Sequence, residues 1–130
     1  MNRLALILCL LLTGCASVPA TKYAAEIGQA SDSATTWIAL QSGFVEANPV
    51  VAANMWILAA KPLIGTATKA LPTESCRPAN RVIAHLGYGF GAYNIAIMAA
   101  SSVPVAMAAG IITIPALWDW LERSAEVGCQ

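Results

Sequence analysis

The chain has 130 residues, 58% of them hydrophobic and 11% charged, with seven basic and seven acidic side chains that cancel to a formal net charge of zero. That balance excludes the basic surface through which proteins hold nucleic acid. A mean hydropathy of +0.64 lies well to the apolar side of an ordinary soluble domain, and so short a chain would struggle to hide that much apolar surface from water. The composition therefore predicts an all-α membrane protein: a small bundle of about four hydrophobic, transmembrane helices after a cleaved signal peptide.

The first element is a leader. Arg3 precedes an apolar run over residues 4–12, too short to span a bilayer and placed as in a secretory signal peptide. The run closes on Leu12-Thr13-Gly14-Cys15, which resembles the lipobox of bacterial lipoproteins. The resemblance implies cleavage after Gly14, acylation of Cys15 with palmitate-type chains, and a cell-envelope protein whose covalent partner is membrane lipid on the periplasmic side. The competing reading is an ordinary signal peptide or an N-terminal helix whose cysteine is incidental. The division that follows is leader 1–14, linker 15–22, helical membrane domain 23–123 and tail 124–130.

Four helical segments are expected. The first covers residues 23–45, with Glu26 and Asp32 on an otherwise apolar or small-residue surface. Asn48-Pro49 ends it, and proline at the first turn of a new helix costs no hydrogen bond, so the second segment starts at Pro49 and continues towards residue 71. Lys61-Pro62 predicts a kink near residues 58–62. Residues 72–80 form the clearly polar loop. The third segment runs over 78–100 and the fourth over 103–123. Between Arg81 and Asp119 no Asp, Glu, Lys or Arg occurs, an interval long enough for two membrane passes of roughly 20 residues each.

Small residues thin two of these segments. Gly87, Gly89 and Gly91 give a G-x-x-x-G with a neighbour, and Ala106, Ala109, Gly110 and Ala116 do the same for the fourth segment. Such spacing lets helix backbones approach where the hydrophobic effect cannot drive association; the expected use is a contact within the bundle. Trp118 and Trp120 fit the interfacial belt.

An acyl anchor on the outer face of the cytoplasmic membrane makes the first segment enter from the periplasm. Four passes then return the C-terminus to the same side, with Cys76 and Cys129. In an oxidising compartment these two thiols are expected to pair, the alternative being two free thiols. One cue opposes this topology, since Arg77, Arg81 and Arg123 fall outside against the positive-inside tendency, and another concerns location: Ala16 lacks the aspartate that resembles an inner-membrane retention signal, which favours export to the outer membrane. The hydropathy of residues 82–118 outweighs them, favouring the inner over the outer membrane.

Asp32-Ser33-Ala34-Thr35-Thr36, followed by Gly43 and Glu46-Ala47-Asn48-Pro49, carries a further likeness. It resembles a family of small prokaryotic membrane proteins of unknown function, in which Asp-x-x-Thr-Thr precedes Gly-x-x-Glu-x-Asn-Pro. Lys61, Tyr93 and Asn94 are similar to the lysine and Tyr/Asn pair found later in that family. The resemblance covers about residues 30 to 100 and implies a helical membrane fold without an assigned chemistry.

Polar side chains inside apolar segments are the candidate site. A charge at mid-membrane costs about 2.5 to 3.5 kcal/mol, so it faces a partner or a water-filled cavity. Counted from the Glu46-Asn48 turn at ~1.5 Å per residue, Asp32 and Lys61 reach a similar depth, His85 approaches it, and Asn94 sits nearer the turn. The candidate cluster is Asp32, Glu46, Asn48, Lys61, His85 and Asn94. Its expected role is structural or accessory, with a neutralised Asp32–Lys61 pair; the alternative is an ion, proton or ligand-binding, transport-related bundle. A third reading tethers non-spanning helices to the outer membrane through lipid alone. Ser42 and His85 lack a nucleophile context, and no spacing such as C-x-x-C or H-E-x-x-H points to a metal. No enzyme activity, metal or cofactor is expected; the partners are lipid, a membrane protein or a second copy.

Overall fold

The computed structural model describes residues 18–46 and 49–130. The lipobox and Asn48 lie outside them. The described residues form five helices and no strand: α1 (Ala24–Gln41), α2 (Pro49–Ala53), α3 (Trp56–Thr68), α4 (Thr73–Ala100) and α5 (Val103–Gly128). The expected second segment is thus two helices, and its break falls at Asn54-Met55 rather than at residues 58–62. Asn54 explains the position: its side-chain oxygen accepts the Trp56 N–H at 3.2 Å, satisfying an orphan donor at the start of α3. Pro62 lies inside α3.

Two boundaries move outward. α4 begins at Thr73, because the Pro72 carbonyl accepts from both Ser75 and Cys76 N–H at 2.8 Å, and Pro78 is carried within the helix. The residues read as a polar loop are therefore its first two turns. α5 continues through the residues read as a tail to Gly128, burying Ser124, Ala125 and Cys129. Ser101, in the left-handed region at φ 48°, ends α4 as an αL cap does, and Pro104 sits in the first turn of α5.

Packing follows the small residues. α4 lies between α1 and α5, and α3 packs on the other flank of α1. Gly87 stands so close to α1 that a Cβ there would be 2.3 Å from the Gly28 carbonyl carbon, while Gly89 and Gly110 bring α4 and α5 together. The glycine run thus serves two interfaces, its middle member, Gly89, facing the opposite neighbour. Ala24, Ala25, Ala84, Trp120 and Leu121 close a core where α1, α4 and α5 meet. Cys76 and Cys129, with Cα atoms 5.8 Å apart, are joined as a disulfide between the start of α4 and the end of α5.

α4 and α5 are long and apolar enough to cross a membrane. Their apolar side chains face outward along much of both helices, with Phe90 55% and Ile111 62% exposed. α1 and α3 are shorter, about 27 and 20 Å at 1.5 Å per residue, against a hydrocarbon core of about 30 Å.

Candidate functional site

The α1–α4 contact determines which polar groups meet. Gly87 abuts Gly28, and Gly91, one turn on, abuts Ser31 and Asp32. Asn94 follows on that face of α4 and arrives beside Thr35 and Thr36. On α1, Asp32, Thr35 and Thr36 stand at i, i+3 and i+4 and so share one side of the helix. α3 runs back along the opposite flank of α1, bringing Lys61 to the same level.

These five side chains form one hydrogen-bonded group. Lys61 Nζ lies 2.6 Å from Asp32 Oδ2. Asn94 Nδ2 donates to Thr36 Oγ1 at 2.9 Å and is 3.2 Å from both Thr35 Oγ1 and Asp32 Oδ1. The Thr36 hydroxyl donates to Asp32 Oδ1 at 3.4 Å, and the Thr35 hydroxyl turns back to the Ser31 carbonyl at 2.8 Å. Both carboxylate oxygens of Asp32, a residue only 4% exposed, therefore have partners, as a buried charge requires. The Lys61 side chain is 19% exposed.

Of the remaining expected members, Asn48 falls outside the described residues, and His85 lies away from the group. His85 is nine residues before Asn94 on the same helix, ~14 Å along its axis at 1.5 Å per residue, and its ring rests on Trp118 with centroids 5.2 Å apart. α4 starts well before α1, so its residue 94, not 85, comes level with Asp32. Glu46 stands half-buried in the connection between α1 and α2. Ser42 donates to the Ile38 carbonyl at 2.8 Å at the end of α1.

Several polar contacts escape sequence reasoning, three of them joining α1, α3 and α4. Glu26 pairs with Lys69 across α1 and α3, Gln29 donates to the Ile83 carbonyl at 2.7 Å, and Asn80 donates to Thr68 at 2.9 Å. The signal for the first was present in the placement of one acid and one base near opposite ends of an antiparallel pair; the others depend on helix rotation. Thr35 and Thr36 were visible only through the Asp-x-x-Thr-Thr likeness.

Two shallow apolar grooves open on the surface. One, about 620 Å³, is lined by residues including Ile64, Leu71 and Val82; the other, about 570 Å³, by residues including Ser33, Trp37 and Trp56. Neither lining includes Asp32, Lys61 or Asn94.

Comparison with protein-family models, with curated proteins and with solved structures finds no match to this chain.

Proposed function

We propose that this chain is a small lipoprotein of the bacterial cell envelope, anchored through Cys15 on the periplasmic side of the inner membrane, with its helices embedded in the bilayer and a structural or accessory role. The observation that carries the embedded, structural reading is the arrangement of polarity. Asp32, Lys61, Asn94, Thr35 and Thr36 satisfy one another between α1, α3 and α4, while α4 and α5 turn apolar side chains outward. In lipid, helices associate through close packing and interhelical hydrogen bonds, and both are present here.

The Asp32 group acts as a clasp. α1 carries a charge that lipid would reject alone, α3 supplies the counter-charge, and α4 supplies the amide that fixes the second carboxylate oxygen. The two surface grooves are lined by residues other than Asp32, Lys61 and Asn94. His85, separated from the pair, cannot relay a proton to it directly.

Metabolic palmitate labelling with separation of inner and outer membranes tests the assignment. Wild-type protein should carry label in the inner-membrane fraction, and Cys15→Ser should carry none and remain unprocessed by the lipoprotein peptidase. Equal labelling of the substituted protein would remove the lipobox from the account.

A further inference from the structure

Residues 18–22 are not a free tether. The Trp120 indole N–H donates to the Pro19 carbonyl at 3.0 Å, and the Thr21 N–H donates to Ser124 Oγ at 3.1 Å. Gly128 lies directly beneath the next residue: a Cβ there would stand 3.2 Å from the Lys22 carbonyl oxygen. Trp120 and Ser124 are buried. The chain ahead of α1 is thus laid along the last turns of α5, close to the Cys76–Cys129 disulfide.

We infer that this segment is a strap that seats the protein's own lipid anchor against the end of α5. The inference rests on the lipobox reading of Cys15. Cys15 is three positions ahead of Val18, and a fully extended chain covers at most about 10 to 11 Å over that interval. Diacylglycerol bonded to the Cys15 sulfur therefore enters the bilayer beside the C-terminal end of α5. Its glycerol backbone sits at headgroup level, so the disulfide end of the helices lies at the surface of the leaflet that holds the acyl chains.

The chemistry of that end suits the position. Arg81 lies against Trp118, with the guanidinium carbon 5.0 Å from the ring centroid, and Lys22 and Lys69 both stand over the Tyr23 ring. Lys22, Lys69, Arg77, Arg81 and Arg123 all belong to this end, Lys69 paired with Glu26 and Arg81 with Glu122, as do the indole of Trp118 and the core indole of Trp120. Amphipathic aromatic rings and snorkelling cations favour the headgroup layer. The occupant of this surface is accordingly the lipid of the chain's own anchor and its neighbouring headgroups.

The test follows trypsin cleavage after Lys22 in membranes from palmitate-labelled cells. Wild type should keep its label on the full-length band, because the backbone at Lys22 is packed against Gly128. A double variant, Trp120→Phe with Ser124→Val, removes both strap hydrogen bonds and should shed a small labelled peptide at least tenfold faster. Thr21→Pro, which deletes the Thr21 donor without altering α5, should also accelerate release. Cleavage of wild type as fast as both variants would overturn the strap. Protection of the Lys22 bond in wild type that carries no label would instead overturn the lipobox reading, and with it the seated anchor.

Discussion

Asp32 and Lys61 are 29 residues apart in sequence, yet a carboxylate oxygen and an ammonium meet at 2.6 Å. The pair joins α1 to α3, and Asn94 joins the same carboxylate to α4. One side chain thereby registers three helices. Removing a single member of such a buried pair leaves an uncompensated charge, commonly costing about 3 to 5 kcal/mol, whereas replacing both with neutral groups is often close to neutral. Asp32→Asn should lower membrane abundance sharply, and the double change Asp32→Asn with Lys61→Met should largely restore it. Additive losses in the double variant would mean that the two residues do not act as a pair.

Asn94→Leu should weaken the fold by about 2 to 3 kcal/mol, since an unmet buried polar group costs ~1 to 3 kcal/mol and Asp32, Thr35 and Thr36 all lose a donor. His85→Leu should leave the Asp32 group intact. Thermal unfolding in detergent, compared for the two variants alone and each combined with Lys61→Met, measures this. Coupling to Lys61 is expected for Asn94 and not for His85.

The glycine run should respond unequally to added bulk. Gly87→Ala places a methyl 2.3 Å from the Gly28 carbonyl carbon, so α1 must shift away from α4; the nearest atom to a Cβ at Gly89 is the Gly110 carbonyl oxygen at 3.4 Å. Overpacking of this kind costs about 1 to 3 kcal/mol. Unfolding midpoints should fall clearly for Gly87→Ala and little for Gly89→Ala.

Cys129→Ser should destabilise the protein by roughly 4 kcal/mol in the chain-entropy view of a cross-link, here one that spans 53 residues. Peptide mapping without reductant should recover the Cys76–Cys129 cross-link from native protein. Complete alkylation of both thiols in protein isolated without reductant would contradict the bond.

The helical class was legible because composition and the uncharged interval over residues 82–118 leave little else. Boundaries were less so: Pro72 and Pro78 both look like starts, and only the carbonyl of Pro72 accepting two helix donors decides between them. Asn54 resembles neighbouring surface residues until its side chain is seen accepting the Trp56 N–H just ahead of α3. Counting from the turn sets Asp32 and Lys61 at one level, and they do meet, although α2 and the break at Asn54-Met55 come between that turn and α3. The same counting misplaces Asn94 and His85, because the offset between α1 and α4 is set by Gly28 on Gly87 and Ser31 on Gly91, a rotation and slide that sequence spacing does not encode.

The embedded reading is tested most directly without the anchor. With the leader exchanged for one cut by the general signal peptidase and with Cys15→Ser, the mature chain reaches the periplasm unacylated, and alkaline carbonate then separates integral from surface-held protein. Embedded helices predict that this form stays in the membrane pellet, because the outward apolar faces of α4 and α5 hold it there. Recovery of the folded, disulfide-bonded protein in the carbonate supernatant would contradict the account.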